Sequence, residues 1–435
     1  MIKDCCLVFD IGKTNQKYFL FDKDLRILKH EKVTLPKTED EDKHTAENIQ
    51  VIVKWMKKNF EALLNSNIFK IKSVNFSGFG ATLVHLNKNG EVIAPVYDYH
   101  KKVEDEIFIS FYKKYGPESV FSCQTGSKNL NLLNSGKQLY WLKYKRPETF
   151  KKIRYTLHLP QYLSFVFTGD MFTEYTSIGC HTDLWDYQKK EYHFWVKAEG
   201  IDRLFPKIYP TQTKVVKQYR GQRISFGIGV HDSSSALLSI LLKEKEIFLL
   251  LSTGTWCINF NPFSKDLLFN SNQIASGATI YMDIDGDPVK TSRLFMGEEH
   301  RIKLGELIQH FKKTNKNYID DSVNEELVVY VSKKSKNHFH WKYLDNTNSP
   351  DNDSLEFPNF ETAYYRLIKE LIDLLKVEIN VIICKKIPKK IYVDGGFSSN
   401  KIFLAFLEKE FPDQLIEAKP VSSACALGAA MLIDL

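Results

Sequence analysis

The sequence predicts an α/β protein of two domains, on three observations. A chain of 435 residues exceeds one ordinary core and suits two domains of roughly 200 residues each. Strand-length apolar runs alternate with stretches of helical apolar spacing along the whole chain. Each half also carries an apolar strand that ends in a turn of small polar residues. These are Leu7-Val-Phe-Asp-Ile-Gly-Lys-Thr-Asn and Leu249-Leu-Leu-Ser-Thr-Gly-Thr-Trp, a pair able to face each other across a cleft and hold opposite sides of a polyphosphate.

In chain order, Cys5–Asp10, Tyr18–Asp22 and Ile27–Lys32 read as strands, with Asp22-Lys23-Asp24 as the turn of a hairpin. Thr45–Leu64 reads as an amphipathic helix through Ile49, Ile52, Val53, Met56, Phe60 and Leu63. Ile71–Phe76 is a strand broken by Gly78 and Gly80, and Asn87-Lys88-Asn89-Gly90 is a hairpin turn between Val84–Leu86 and Val92–Ile93. Helical spacing returns at Gly136–Tyr144 and Pro160–Phe167. After a basic connector, Lys217–Arg223, come the strands Ser225–Val230, Ile247–Ser252 and Cys257–Phe260 and the helix Ser233–Leu242. Ser332–Asp353 reads as a polar surface loop or insertion. Glu361–Ile383 follows as a long helix, Lys390–Val393 as a strand, and a further helix begins at Asn400.

Composition narrows the function classes. The net charge of +7 is mild for this length and its lysines are scattered, which fits an anionic small ligand better than a nucleic-acid stripe. The seven cysteines (Cys5, Cys6, Cys123, Cys180, Cys257, Cys384 and Cys425) form no C-x-x-C pair, and no His cluster has zinc spacing. Met1 leads at once into a strand without a leader pattern, and no apolar stretch is long enough to cross a bilayer. A cytoplasmic protein with no membrane partner is expected, and a homodimer is left open.

Four constellations carry chemistry. In Asp10-Ile-Gly-Lys-Thr-Asn, Gly12 lets backbone N–H groups approach an anion, while Lys13, Thr14 and Asn15 add donors or charge. Asp10 could hold Mg²⁺ directly or through water. A plain hairpin turn fits the same residues. Ser252-Thr-Gly-Thr-Trp is a similar device, with hydroxyls around Gly254, and an ordinary strand turn fits it too. In Gly227-Ile-Gly-Val-His-Asp-Ser-Ser-Ser-Ala, Asp232 stands at a helix N-terminus, where the dipole keeps a carboxylate ionised and able to accept a proton. The alternative is an N-cap alone. Val393-Asp-Gly-Gly-Phe-Ser-Ser-Asn leaves room for a flat ring or ribose on backbone, and Ser422–Met431 is a small-residue helix suited to close packing or to a nucleotide.

The order of these segments resembles the FGGY carbohydrate kinase family, most closely its rhamnulokinase and fuculokinase branch. The resemblance rests on Asp10–Asn15, Gly229–Ala236, Ser252–Trp256, Asp394–Asn400 and Ala426–Ala430, with weaker similarity at Thr125-Gly126, Gln138–Lys143, Leu159–Leu163 and Phe167–Asp170. It implies two ribonuclease-H-like (actin-like ATPase) domains around a central cleft, divided here as residues 1–223 on the sugar side and 224–435 on the ATP side. It further implies Asp232 as the base, and Asp10 with Asp232 at the metal. Gly12, Lys13, Thr14, Asn15, Thr253, Gly254, Thr255, Gly395, Gly396 and Ser399 are implied around ATP, and Gly80, Asp98, His100, His231 and Asp232 around the sugar. Two departures stand out. Lys13 replaces a small hydroxyl residue, and Ser77–Leu86 with His100 lacks the branch's acidic sugar segment.

The expected activity is Mg²⁺- and ATP-dependent phosphorylation of a small sugar, a (deoxy)ketose such as rhamnulose or fuculose. A catalytically silent, nucleotide- or sugar-binding regulatory protein and an actin-type ATPase are the competing readings.

Overall fold

The computed structural model describes residues 2–264, 269–313, 322–333, 337–344, 356–383, 387–419 and 423–433. The first sheet comprises β1 (Lys3–Ile11), β2 (Gln16–Phe21), β3 (Ile27–Val33), β4 (Phe69–Gly78), β5 (Lys214–Tyr219), β6 (Gln222–Gly227) and β7 (Val230–His231). Its order is β5-β6-β4-β1-β2-β3, with β7 beside the end of β4. The second sheet comprises β8 (Phe248–Thr253), β9 (Cys257–Asn261), β10 (Ala278–Met282), β11 (Pro288–Leu294), β12 (Lys390–Gly395) and β13 (Leu415–Lys419), in the order β10-β11-β9-β8-β12-β13.

The two sheets share one plan. β1 is antiparallel to β2 and parallel to β4; β8 is antiparallel to β9 and parallel to β12. In both, a central strand has a hairpin partner on one side and a parallel strand on the other, the plan of two ribonuclease-H-like domains. The registers bring matching ends together: Asp10 lies beside Ser77 in one sheet, and Ser252 beside Asp394 in the other. β1 is buried on both faces, which is why it reads as a continuous apolar run. Cys5, Leu7 and Phe9 pack into one core, and Cys6 and Val8 into another.

Helix α1 (Ile49–Leu64) covers the first of these cores with Ile49, Ile52, Met56, Phe60 and Leu63. It starts four residues later than the apolar spacing predicts. Asn48 Oδ1 accepts the Val51 N–H at 3.2 Å and caps it, while Thr45–Glu47 pairs instead with Val96–Tyr97. That short strand fixes Glu47 in the cleft. Helices α2 (Asp232–Leu241) and α5 (Ala424–Met431) run between the two sheets, α2 adding Leu238 to one core and Leu237 and Ile240 to the other. A Cβ on Gly428 would stand 1.8 Å from the Ser235 carbonyl oxygen, so the small residues of α5 serve close helix packing. Ser422, which opens that segment in the sequence, lies outside the described residues, as does Cys384.

Other expectations need correction. The basic connector is a β-hairpin: Arg220 and Gly221 turn with φ of 50° and 77°, and Lys217–Tyr219 pairs with Gln222–Ile224. The division expected at 223/224 therefore falls inside β6, and first-sheet pairing continues to His231. Ser225–Val230 is not one strand of the second half but parts of β6 and β7. The Asn87–Gly90 hairpin turn forms as expected, with the Ile93 N–H donating to the His85 carbonyl at 3.1 Å, but Leu83–Leu86 pairs in addition with Tyr155–His158. The described part of the expected surface loop, Asn337–Leu344, buries Phe339 and Trp341 in the core against helix α3 (Phe360–Ile382). The N–H groups of His338 and Phe339 donate to Glu370 of that helix. The remainder of that loop, 334–336 and 345–353, lies outside the described residues. Among the described residues no helix is long and apolar enough to cross a membrane.

Candidate active site

The site forms where the ends of β1, β8 and β12 meet the start of α2. The Gly12 N–H donates to the Asn15 carbonyl at 3.0 Å, closing the tight turn after β1 and leaving Thr14 exposed. Asn15 turns its side-chain oxygen back to the Thr34 hydroxyl, 3.1 Å away. In the second sheet Thr253 is buried. Its hydroxyl donates to the Asp394 carbonyl at 2.5 Å and accepts the Phe397 N–H at 3.0 Å. Thr253 thus holds the Gly395-Gly396 turn against β8, and the exposed residues of that loop are Gly254 and Thr255. Gly395 has φ of 88°, and a Cβ there would fall 1.8 Å from the Thr253 carbonyl oxygen. Gly396 and Ser399 are exposed beside it.

Carboxylates gather at this junction. Asp10 is buried and its Oδ2 lies 3.4 Å from Lys17 Nζ. Burial raises the Asp10 pKa above the ordinary carboxyl value; the Lys17 charge opposes that shift and the Asp232 charge adds to it. Asp232 is the first residue of α2, and its Oδ1 accepts the Ser233 N–H at 2.6 Å. Burial pushes its pKa up to about 6 against these hydrogen bonds and the charge of Lys17. The thiol of Cys425 is raised first by burial and then by Asp10, Asp232 and Asp394, so all three carboxylates act on the start of α5.

His231 Nε2 lies 3.2 Å from Asp232 Oδ1 and 3.1 Å from Cys180 Sγ. Burial pulls the His231 pKa down to about 3, so the ring is neutral. An ionised Asp232 only accepts, which places the ring proton on Nε2 for that contact. Gly80 packs over this pair: a Cβ there would lie 2.4 Å from Cys180 Sγ and 3.0 Å from His231 Nε2. Gly80, His231 and Asp232 are therefore brought together as the sequence predicts.

Asp98 and His100 form a second group, and Lys13 joins it. Lys13 Nζ lies 2.7 Å from both Glu47 Oε1 and Asp98 Oδ2 and 4.3 Å from the centroid of the Tyr99 ring. Glu47 also pairs with Lys37. His100 Nδ1 is 3.1 Å from Asp98 Oδ1. Burial pushes the Asp98 carboxyl up, but the His100 hydrogen bond and the Lys13 charge outweigh it and hold it well below the usual range. Lys13, placed among the phosphate contacts by the sequence, is thus turned away from Thr14 and engaged by two carboxylates. Tyr99 links the groups: after burial, the charges of Asp98, Asp232 and Glu47 raise its hydroxyl pKa.

A cavity of about 1230 Å³ opens beside these residues, reached past Tyr99, His100 and Thr255 and continuing along Trp256 and Arg293. Asp10 and Asp232 are not on its lining, whereas Tyr99, which feels the Asp232 charge, is. Sequence reasoning missed Glu47 and Arg293, which sit in no motif. Among the described residues no group of three or more His, Cys, Asp or Glu side chains is arranged to hold a metal. Asp10 and Asp232 fit a hard cation bound mostly by phosphate oxygens and water, the usual manner of Mg²⁺.

Comparison with known proteins agrees with this geometry. Residues 5–238 match the model of the FGGY family of carbohydrate kinases, N-terminal domain. A rhamnulokinase of Pectobacterium atrosepticum is 28% identical over 256 residues, 54% of this chain and 49% of that protein. One of Mannheimia succiniciproducens is 24% identical over 212 residues, 46% and 42% respectively. The chain thus spans less than half the length of these curated relatives. A carbohydrate kinase from Novosphingobium aromaticivorans superposes with a TM-score of 0.77 at 22% identity, covering 100% of this chain and 92% of that one. Plasmodium falciparum glycerol kinase with ADP superposes with a TM-score of 0.73 at 16% identity, covering 99% and 89%. With more than half its residues matching the family model and its fold shared throughout, this chain belongs to the FGGY family of carbohydrate kinases.

Proposed function

We propose that the protein transfers the γ-phosphoryl group of ATP to a hydroxyl of a small sugar, with Asp232 as the base. The observation that carries this reading is that Asp10, Asp232 and Asp394, from the two sheets and α2, all act electrostatically on Cys425 at the start of α5. The sugar hydroxyl gives its proton to Asp232, its oxygen bonds to the γ-phosphorus, and the bond from that phosphorus to the bridging oxygen breaks, leaving ADP. A base with a pKa of about 6 is largely ionised at neutral pH yet basic enough to take the proton. Neutral His231 orients Asp232 without competing for that proton. Gly12, Thr14, Gly254 and Thr255 cradle the polyphosphate, and Gly395, Gly396 and Ser399 lie on the adenosine side. Asp10 and Asp232 would hold Mg²⁺, which when bound neutralises phosphate charge. Lys13 belongs with Asp98 and His100 at the acceptor end. In this reading the first sheet and its insertions carry the sugar and the second sheet carries ATP. A deoxyketose such as rhamnulose is the acceptor that the similarity to rhamnulokinases suggests.

The test is Mg²⁺-dependent ADP release across ketoses, aldoses, polyols and sugar acids, with a no-sugar control. Release should depend on an acceptor, and Asp232→Asn should lower kcat about 10³-fold with the melting temperature kept. ATP binding without acceptor-dependent release from any of them would leave the nucleotide-binding regulatory reading in its place.

A further inference from the structure

Arg293 lies on β11 opposite Ile258 of β9 and is only 7% exposed. Its guanidinium carbon sits 5.7 Å from the centroid of the Trp256 ring. Among the described residues it makes no hydrogen bond or ion pair, and Nη1 is buried without a partner. Of the other charged groups on the same lining, Lys102 is exposed to solvent, Lys128 Nζ donates to the Ala275 carbonyl at 3.4 Å, and four more are paired. Lys101 pairs with Asp40 and Asp42, Glu298 with Arg301, Glu370 with Arg366 and Asp373 with Lys369. Glu378, also on the lining, makes no ion pair with Arg293, and burial pushes its carboxyl up to about 8. A buried guanidinium without an anion is costly, and a ligand that brings the anion removes that cost.

The place of Arg293 says which ligand. Arg293 shares the cavity lining with Tyr99 and His100, and Tyr99 feels the charge of Asp232; behind that lining buried contacts run from Asp232 through His231 to Cys180, at 3.2 and 3.1 Å. Arg293 acts electrostatically on both Cys180 and Tyr281. A short polyhydroxy chain with one hydroxyl at Asp232 therefore points its far end toward Arg293. We propose that Arg293 binds a carboxylate of the acceptor, so that the acceptor is a sugar acid rather than a neutral deoxyketose. The proposal rests on the kinase reading for the placement of the hydroxyl. One guanidinium balances a single negative charge and meets a carboxylate with two parallel N–H donors.

Calorimetric titration of the full chain with five- and six-carbon aldonates, the matching alditols, L-rhamnulose and fructose 6-phosphate tests this, with ADP release measured in parallel. At least one aldonate should bind tenfold or more tighter than its alditol. Arg293→Met should lose that preference and Arg293→Lys should keep part of it. Arg293→Met should melt no lower than the parent, since it keeps the apolar stem on Trp256 and removes an unmatched charge; a clear fall would assign Arg293 to the fold instead. Three outcomes overturn the acid site: no aldonate binds, the phosphate ester binds best, or L-rhamnulose is bound and turned over equally by the parent and Arg293→Met. The last of these leaves the kinase reading intact. Arg293-dependent aldonate binding with no ADP release from any acceptor does the reverse, keeping the acid site and removing the kinase reading.

Discussion

The end of the cleft we assign to phosphate and the end we assign to the acceptor are built differently. At the phosphate end the work falls to backbone: two strand ends in matching parallel register, Asp10 beside Ser77 and Ser252 beside Asp394, each followed by a glycine turn. At the acceptor end it falls to side chains from distant segments. Lys13 bridges Glu47 and Asp98, 34 and 85 residues away, and Arg293 waits in a cavity lined from both halves of the chain. Turn geometry can be kept while the side chains around it change, so in the proposed reading the first end would hold one chemistry and the second would choose among acceptors.

Substitutions at each end sharpen that contrast, and the largest structural effect belongs to the phosphate end. Gly395→Ala forces a side chain into a positive-φ position against the Thr253 carbonyl. It should destabilise the protein by on the order of 3 kcal/mol and abolish measurable ATP binding. Urea melts and nucleotide titration check this, and a variant that binds ATP normally would show that backbone closeness is not what builds that end. Lys13→Met should raise the acceptor KM about tenfold and leave the ATP KM unchanged, since one of the two carboxylates it engages keeps Lys37 and the other His100. A raised ATP KM with an unchanged acceptor KM would return Lys13 to the phosphate and erase the contrast.

The smallest effect is the acid limb. Rate should fall with unit slope as pH drops through about 6, because Asp232 must be ionised to accept the proton. The same shift has an opposite sign for stability. The folded-state value lies above the ordinary 3.8, so ionising Asp232 weakens the fold as pH rises between 3.8 and about 6. The melting temperature of Asp232→Asn at pH 7 should therefore equal or exceed that of the parent, while a large fall would make Asp232 a structural residue.

Most of the strands and the four polar turns were legible in the sequence, because a strand buried on both faces and a glycine turn are local patterns. The start of α1 was not, since pairing of Thr45–Glu47 with Val96–Tyr97 overrides helical spacing. The hairpin at Arg220-Gly221 resembled a linker because its edge strand, Lys214–Tyr219, has no buried residue and so no apolar face to mark it.

By itself the sequence determined the two-sheet plan, the position of Asp232 at a helix start, and the glycines that let backbone approach backbone. Tertiary structure alone decided that Thr253 is consumed in holding the Gly395 turn, that Lys13 bridges Glu47 and Asp98, and that Arg293 has no partner among the described residues. The reason is physical. Backbone turns are set by neighbours a few residues away, whereas the charge that meets a long side chain depends on where remote segments return.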